Sequence, residues 1–454
     1  MKFLSRVGIL LSVPLLLSCQ NQSSTLQPAL PVTTTENINL NPLSPQHAPS
    51  SGFTSLVAFG DSLSDMGSYT LVAQQSYGLG TRFDVRFTGL PYQAGGQFTV
   101  NGSTSGNWVG DLASSLHLTI SPHLVGYGNS LGRMYLTPTG GTLPSPNPCA
   151  FGSPLLNSHL PDCLDFAQGG AMIQNPNGVD HEKGALTLPI SQQVSQYLHE
   201  FHSFHGSQLI TIFAGNNDVL RIFGDFLTAL TVDVQQTVAT ENHRYPDIGP
   251  IRQQEIAMHA LIKVYPQALA HAEQQIDDSA DNLSHIIHTV HQYGGEYILV
   301  YTLPDAATTP FGRGLPYTLP NSPQPTPLGY VCDLSATGST CRVLSLMIQR
   351  FNQRLLYDLR NEPVKIIDDH ELFAQVISQP AAYGFTNVIS PWCAPTLHSS
   401  LLCNENTPNT TAGADLENLH TWLFADLLHP TPAGYQVLSD NTYAALKSFG
   451  WLKP

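Results

Sequence analysis

Short, mostly apolar runs recur along the chain, and each gives way abruptly to Gly, Pro or Asp. They occupy residues 56–59, 208–213, 296–301 and 364–367. Runs of this length without polar alternation are typical of strands that are buried on both faces, as the strands of a parallel sheet are. Each run therefore predicts one such strand.

Between the predicted strands, apolar residues recur with the period of an α-helix. The helical patterns cover residues 190–204, 254–292, 344–361 and 433–449. Strands that alternate with helices predict an α/β fold, an open parallel sheet flanked by helices. In such folds the functional site lies at the carboxyl ends of the strands.

The segments outside this alternation differ in composition. Residues 20–53 are rich in Ser, Thr, Pro, Asn and Gln without an apolar period, which predicts a flexible tether. One folded domain then spans residues 54–454, with long insertions at about residues 78–162 and 304–341. Because long connections in a compact domain are usually functional, we expect them to wall or cover the site.

The first 19 residues have the pattern of an export signal. Lys2 and Arg6 precede an apolar run at residues 7–17, which is too short to span a bilayer and is followed by Ser18 and Cys19. The end of this segment also resembles a bacterial lipobox, in which Cys19 would carry the lipid. The prediction is export, and two outcomes stay open: a freely secreted protein, or a lipoprotein tethered through Cys19.

Charged residues are scarce. Asp, Glu, Lys and Arg make up 11% of the chain, against about 25% in an average soluble domain. The balance of 18 basic and 33 acidic residues gives a formal net charge of −15. Because nucleic acids and anionic lipid surfaces are bound by clustered Lys and Arg, this composition excludes a nucleic-acid partner and docking through a polybasic patch.

Apart from Cys19, the cysteines fall into close couples: Cys149 with Cys163, Cys332 with Cys341, and Cys393 with Cys403. Several connectivities are open to six cysteines, but pairing within each couple is the simplest, and exported proteins meet oxidising conditions. A zinc site is the rival interpretation, and the lack of any Cys-x-x-Cys spacing disfavours it. We predict three short disulfide loops and no metal.

Four short polar blocks supply the parts of a serine acyl-transfer site. They lie at residues 60–65, 165–171, 215–218 and 426–429. Ser62 is the candidate nucleophile, and His429 is the general base that it needs, since an unaided hydroxyl is a poor nucleophile near neutral pH. Asp426 can orient the imidazole and stabilise its protonated form.

The same blocks contain candidate donors for an oxyanion hole, namely the backbone N–H groups of Ser62 and Gly170 and the side-chain amide of Asn217. Such donors stabilise the negative charge that develops on the attacked carbonyl oxygen. The competing interpretation is that Gly, Asn and Asp are ordinary turn residues after strands, and the order of all four blocks favours the functional one. Asn216 is predicted to be a bystander, and Asp65 to cap a helix after the nucleophile.

Two further patterns are weaker candidates. Ser130 lies in a G-x-S-x-G match, but the strand and helix that this motif requires are not predicted beside it. His199, His202 and His205 recur at intervals of three on a predicted helix, which favours a solvated polar face over a metal site. No phosphate loop or dinucleotide fingerprint occurs, so we expect no cofactor.

Together the four blocks resemble the GDSL, or SGNH, lipolytic hydrolase family, over residues 54–449. Further stretches make the chain most similar to the secreted phospholipases, lysophospholipases and glycerophospholipid:cholesterol acyltransferases of Gram-negative bacteria. These stretches are Gly95-Gly96-Gln97-Phe98-Thr99 and residues 107–109, 297–304 and 430–435. One residue departs from the family pattern, because Asp165 stands where Asn is usual, and no amide donor is expected there.

The resemblance implies the flavodoxin-like SGNH-hydrolase fold and an acyl-enzyme on Ser62. It implies phospholipid or lysophospholipid substrates, cholesterol as a further acyl acceptor, and transient contact with membrane surfaces. It also implies passage through export machinery to the outside or the outer membrane of a Gram-negative bacterium. Some secreted acyltransferases of this kind are activated when a protease nicks a disulfide loop, which makes the loops at residues 149–163 and 332–341 candidate cleavage sites.

Two other functions stay open. One is a short-chain or carbohydrate esterase that uses the same residues on a small substrate. The other is a surface-binding protein on the same fold without catalysis. An intact set of Ser62, Asp426 and His429 counts against the second, because binding alone requires none of the three.

Overall fold

The computed structural model describes residues 33–69, 96–102, 106–123, 163–179, 181–183, 185–246, 249–314, 334–335, 339–397 and 399–453. Its strands are β1 Ser55–Gly60, β2 Gln208–Phe213, β3 Tyr297–Tyr301, β4 Val364–Ile367, β5 Asn387–Pro391 and β6 Trp422–Phe424. Its helices are α1 Thr35–Asn39, α2 Trp108–Ser115, α3 Ile190–Phe201, α4 Asn216–Arg244, α5 Pro250–Gln292, α6 Pro310–Arg313, α7 Thr340–Leu359, α8 Asp369–Ser378 and α9 Pro432–Ser448.

The four predicted strands pair into one parallel sheet in the order β1-β2-β3-β4. Val57 lies opposite Ile210, and Ile210 opposite Ile298. Helices flank the sheet, and the side chains of the central strands are buried on both faces. The α/β prediction is therefore confirmed, because continuous apolar runs can be accommodated only where both faces of a sheet are covered.

Beyond the free edge of β1, the sheet is extended by isolated bridges rather than by a full strand. Asp165 bridges to Ala58 on one side and to Pro122 on the other, both in parallel. The backbone N–H of Phe166 donates to the carbonyl of Ala58 at 2.8 Å. The second polar block is thereby aligned with the end of β1, where the first block begins.

The helices confirm the four helical patterns, with ends that differ by a few residues. The helix α4 was not predicted, because Gly215 and the two asparagines after it favour a turn. Its buried positions nevertheless follow a helical period, at Val219, Ile222, Phe223, Phe226 and Leu230. This signal was available in the sequence. With α5, α4 forms a long antiparallel pair that packs on α7, where the guanidinium of Arg350 donates to both oxygens of Asp277 at 2.8 and 2.7 Å.

The prediction of a flexible tether through residue 53 is wrong for residues 33–53. Ile38 of α1 is buried, and the side chain of Asn39 accepts from the N–H of Ile366 and donates to its carbonyl, at 2.6 and 3.0 Å. Ser44 donates to the carbonyl of Val364 at 2.8 Å. These polar side chains satisfy the open edge of β4, which would otherwise expose unpaired backbone groups. Residues 20–32 lie outside the described part of the chain.

The two predicted insertions are partly regular. The first contains α2, whose Trp108 is fully buried against Tyr301, with 4.8 Å between ring centroids. The second contains α6, and α7 begins inside its predicted end. Among the described residues, no helix is both long and apolar enough to cross a membrane.

One predicted disulfide is present in full, between Cys393 and Cys403. Cys163 and Cys341 each form a disulfide as well. Their predicted partners, Cys149 and Cys332, lie outside the described residues.

Candidate active site

Ser62 lies in a tight turn directly after β1. Gly60 ends the strand, and a Cβ atom there would be 2.6 Å from the carbonyl oxygen of Phe213, so a side chain does not fit. Both backbone groups of Gly60 are held by Gln193, which accepts from the N–H and donates to the carbonyl at 3.0 Å each. The turn closes where the N–H of Asp65 donates to the carbonyl of Asp61 at 3.1 Å. The nucleophile candidate is thus supported by two glutamine bonds and the sheet.

His429 and Asp426 lie in the loop after β6. The backbone closes this loop twice, with Ala425 N–H donating to the carbonyl of His429 and Thr431 N–H to that of Leu423, both at 2.8 Å. Nε2 of His429 lies 2.7 Å from Oγ of Ser62. Nδ1 lies 2.9 and 2.8 Å from the two carboxylate oxygens of Asp426. The structure therefore brings the three predicted residues into one hydrogen-bonded chain.

The Asp426 carboxylate accepts three further bonds from backbone N–H groups. Leu428 and His429 donate to one oxygen at 2.9 and 2.7 Å, and Ser400 donates to the other at 2.8 Å. The role of Ser400 was missed by the sequence interpretation, since nothing local connects it with Asp426. With its acceptors filled, the carboxylate has one orientation, which assigns the proton on the neutral imidazole to Nδ1 and leaves Nε2 to accept from Ser62.

The two ionisable groups shift each other in opposite directions. Burial by itself raises the pKa of Asp426, but the charge of His429 and the hydrogen bonds outweigh it, and the net pKa lies below the ordinary value. Burial lowers the pKa of His429, while the charge and hydrogen bond of Asp426, with the charges of Asp61 and Asp65, raise it above the ordinary value. The imidazole is therefore a stronger base than a free histidine, beside a carboxylate that stays ionised.

The candidate oxyanion donors lie on three segments, with Ser62 after β1, Gly170 in the block at residues 165–171, and Asn217 in the first turn of α4. The side-chain amide of Asn217 donates to the carbonyl of Ala171 at 2.9 Å, and its second hydrogen is left for another acceptor. Gly170 has φ +79°, in the left-handed region that favours glycine, and a Cβ there would be 3.0 Å from the carbonyl oxygen of Val179. Within the described chain, the N–H groups of Ser62 and Gly170 donate no hydrogen bond. The sequence predicted these three groups as oxyanion donors, and that role stays a prediction.

Asp65 does not cap a helix, because residues 61–69 form turns rather than a helix. Its buried carboxylate accepts from the N–H groups of Gly67 and Ser68 at 2.8 and 2.6 Å, and from the N–H of Gly169 at 2.8 Å. Burial raises the pKa of this carboxyl to about 6. Asp65 thereby attaches the turn that carries Ser62 to the residue before Gly170.

Asp165 connects the same two segments in a similar way. Its carboxylate accepts from the N–H of Met66 at 2.8 Å and from that of Ala167 at 3.0 Å. A carboxylate accepts at both oxygens, whereas an amide has one acceptor and one donor. The aspartate at this position thus matches two backbone donors. Burial, reinforced by the charge of Asp65, raises its pKa well above the ordinary value.

Asn216, predicted to be a bystander to catalysis, makes a structural contact. Its side-chain amide donates to the carboxylate of Asp61 at 3.2 Å, which attaches the third block to the first. Asp218 accepts from the N–H of Ile173 at 3.0 Å, which attaches the third block to the second. Burial raises the pKa of Asp61 to about 6 and that of Asp218 to about 7.

The two weaker candidate patterns have different outcomes. Ser130 lies outside the described residues. The three histidines do not share a helix, because α3 ends at Phe201, and His202 follows it with φ 67°. In the ranges that the structure describes, no group of three or more His, Cys, Asp or Glu side chains is arranged to hold a metal ion.

The sequence that carries this site is similar to a known family and to two other proteins. The sequence model of a family described as GDSL-like Lipase/Acylhydrolase matches residues 56–442. A GDSL esterase/lipase of Arabidopsis thaliana is 24% identical over 298 residues, which cover 61% of this chain and 62% of that protein. An uncharacterized protein in the trpE-trpG intergenic region of Pseudomonas putida is 30% identical over 162 residues, or 35% of this chain and 22% of that protein. The chain thus spans less than two thirds of the length of either relative.

Proposed function

The chain belongs to the GDSL-like lipase/acylhydrolase family, which supports a lipolytic acyl hydrolase, and we propose that it is an exported phospholipase and lysophospholipase that works through an acyl-enzyme on Ser62. The observation that carries the proposed chemistry is the continuous chain from Asp426 through His429 to Ser62, with 2.7 Å between Nε2 and Oγ. A binding protein would have no need of this arrangement.

In the proposed first half-reaction, Ser62 Oγ attacks the ester carbonyl carbon while its proton passes to Nε2 of His429. The tetrahedral oxyanion is stabilised by the N–H groups of Ser62 and Gly170 and by the amide of Asn217. When the intermediate collapses, the bond to the leaving oxygen breaks, and His429 returns the proton to that oxygen. The lysolipid or glycerophosphoryl alcohol leaves, and the acyl group stays on Oγ.

In the second half-reaction, an acceptor hydroxyl replaces the leaving group. The acceptor oxygen attacks the acyl carbon while its proton passes to His429. When the second tetrahedral intermediate collapses, the bond to Ser62 Oγ breaks and His429 returns the proton to Oγ. Water as acceptor gives a fatty acid, and cholesterol gives a sterol ester. The lipid substrate and the sterol acceptor are supported by the resemblance of residues 95–99, 107–109 and 430–435 to secreted lipid acyltransferases.

The decisive experiment is product analysis on mixed vesicles of phosphatidylcholine and cholesterol. We expect purified protein to release lysolipid and fatty acid and to form cholesteryl ester, and Ser62→Ala to form none of them. Turnover of lysophosphatidylcholine at a rate equal to that of phosphatidylcholine would support the proposed lysophospholipase activity. Hydrolysis of p-nitrophenyl acetate without any action on vesicles or on the palmitate ester would instead favour a small-substrate esterase.

Export is part of the proposal and is supported by the pattern of residues 1–19 and by the disulfides. Expression in a Gram-negative host, followed by fractionation and mass spectrometry of the N-terminus, tests it. A mature chain that begins at Cys19 with added lipid, and a soluble Cys19→Ala variant, would identify the lipoprotein form. Retention in the cytoplasm with reduced cysteines would contradict export.

We also propose that a secreted protease activates the enzyme by cutting a disulfide loop at residues 332–341 or 149–163. The support is the small, polar composition of the first loop, which suits proteases, and the apolar composition of the second, which suits a lid. Limited proteolysis with cleavage mapping and an assay of acyl release tests this. An uncut protein that is already fully active would contradict it and leave the catalytic proposal intact.

A further inference from the structure

The side chain of Phe98 lies against the imidazole of His429. The two ring centroids are 5.0 Å apart, and the ring planes make an angle of 38°. The neighbours Gln97 and Thr99 are buried, whereas Phe98 is only half-buried. Phe98 is therefore the residue of this segment that faces the site.

The ring also borders the oxyanion segment. A Cβ atom on Gly169 would lie 2.1 Å from Cζ of Phe98, so the ring occupies the space that a side chain at Gly169 would fill. The ring of Tyr69 meets Phe98 edge to face at 6.3 Å. Phe98 is thus wedged between the candidate base and the residue that precedes Gly170.

The backbone that carries Phe98 is attached to both catalytic loops. Gln97 donates its side-chain amide to the carbonyl of Met66, in the Ser62 segment, at 2.8 Å. Thr99 donates its hydroxyl to the carbonyl of Pro430, next to His429, at 3.0 Å. The hydroxyl of Tyr435 donates to the carbonyl of Phe98 at 3.2 Å. These bonds fix the ring relative to the imidazole.

An aromatic face attracts a cation whose centre lies within about 6 Å of the ring centroid. His429 becomes such a cation each time it takes the proton of Ser62 in the proposed reaction. We propose that Phe98 is a positioning residue for His429, which fixes the plane of the imidazole and stabilises its protonated form. This inference rests on the acyl-transfer chemistry of the proposed function.

Other groups around His429 set the background for this effect. Asp426 contacts the ring, and the charges of Asp61 and Asp65 also favour its protonated form. The buried hydroxyl of Tyr435 stays neutral, because burial raises its pKa well above the ordinary value. Since these groups remain in a Phe98 variant, removal of the aromatic ring should lower the pKa of His429 without abolishing its function.

The direct test is titration of His429 by NMR in protein with isotope-labelled histidine, with the signal assigned from its loss in His429→Ala. In Phe98→Leu we expect the pKa of His429 to fall by roughly 0.5–1 unit. Phe201→Leu is the matched control, since Phe201, the last residue of α3, is also half-buried and packs on an aromatic ring, that of Tyr197. It should leave the pKa unchanged. 3,5-Difluorophenylalanine at position 98, which keeps the shape and weakens the negative face, should give an intermediate value.

The kinetic test uses p-nitrophenyl esters from acetate to octanoate. We expect kcat of Phe98→Leu to fall about threefold to tenfold, by the same factor for every ester and with little change in KM. The acidic limb of the pH profile should move to lower pH together with the pKa.

An unchanged pKa of His429 in Phe98→Leu would overturn the inference. So would a loss of rate that grows with acyl length, because the ring would then act as a wall for the acyl chain. If the wild-type protein hydrolyses no ester, the proposed function fails, while the NMR titration still decides whether Phe98 acts on His429.

Discussion

The two halves of the candidate site are built in different ways. The half that carries Ser62, Gly170 and Asn217 lies at the carboxyl ends of the main sheet and is joined by buried carboxylates. The half that carries Asp426 and His429 lies in a loop beside the small pair β5 and β6, and backbone hydrogen bonds and a disulfide hold it. The nucleophile side therefore depends on ionisable groups, and the base side mainly on covalent and backbone geometry.

Removal of the nucleophile should have the largest effect. Ser62→Ala deletes only Oγ, so we expect activity to fall by about 10⁴-fold or more while the fold is kept. Ester hydrolysis and circular dichroism measured on the same preparation test this. Activity near that of the wild type would remove the acyl-enzyme mechanism for both halves of the site.

Asp426→Asn disturbs the base side without changing its shape. An amide in place of the carboxylate favours the wrong imidazole tautomer, and we expect kcat to fall by about 10³- to 10⁴-fold. The pH profile of kcat should also change on its acidic side, because the charge of Asp426 raises the pKa of His429. A loss below tenfold would show that the carboxylate is not needed to orient His429.

Asn217→Ala tests the nucleophile side at a single donor. We expect kcat to fall by about 10²-fold with little change in KM, because the amide acts mainly on the transition state. Asn216→Ala is the matched control, since it removes a neighbouring amide whose hydrogen bond within the described residues is to Asp61. Equal losses in the two variants would reduce Asn217 to a structural role.

One variant on the nucleophile side and one on the base side compare the roles of a buried carboxylate and a disulfide. Asp65→Asn should lower kcat about tenfold and the free energy of unfolding by about 2 kcal/mol, because an amide cannot accept all the bonds made to the carboxylate. Replacing Cys393 and Cys403 by serine should lower the free energy of unfolding by about 3 kcal/mol. Its effect on kcat should be smaller, since the N–H of Ser400 can still donate to Asp426 and the N–H of residue 393 to the carbonyl of Ala425. Denaturant unfolding and ester kinetics of both variants test this, and a larger catalytic loss from the disulfide variant would reverse the comparison.

The smallest effect is in the pH dependence of stability. The folded-state pKa of Asp65 is about 6 and that of Asp218 about 7, above the unfolded value of 3.8. Such groups hold the proton more tightly when folded, so the free energy of unfolding should fall as the pH rises from 3.8 to about 7.

The base side should not contribute to this slope until the pH approaches the ordinary pKa of His429, 6.5. The contribution of Asp426 to the free energy of unfolding is lost only as the pH falls below the ordinary pKa of that carboxyl. The contribution of His429 is lost as the pH rises from its ordinary pKa through its raised pKa. Thermal unfolding between pH 4 and 7 tests the difference, with Asp218→Asn as the comparison. An equal slope in that variant and the wild type would contradict the assignment to Asp218.

The strands were predictable because their signal is local. A strand that is buried on both faces is mostly apolar, and the four predicted runs match β1 to β4 to within one residue at every end. Four polar blocks at or near strand ends then identified the candidate residues of the site. Turn chemistry concealed α4, because Gly215 and its asparagines have the same composition in a turn as at the start of a helix.

Local patterns in the chain were enough to predict the α/β alternation, the candidate residues and the close couples of cysteines, since each depends on neighbouring residues. How these parts are held together depends on the fold. Ser62 meets His429 across 367 positions, and Asn39 meets Ile366 across 327. No local pattern records such pairs, because a buried polar group needs only some partner and the sequence does not say which. The links made by Asp65, Asn216 and Ser400 therefore appeared only when the sheet had brought their partners within hydrogen-bonding distance.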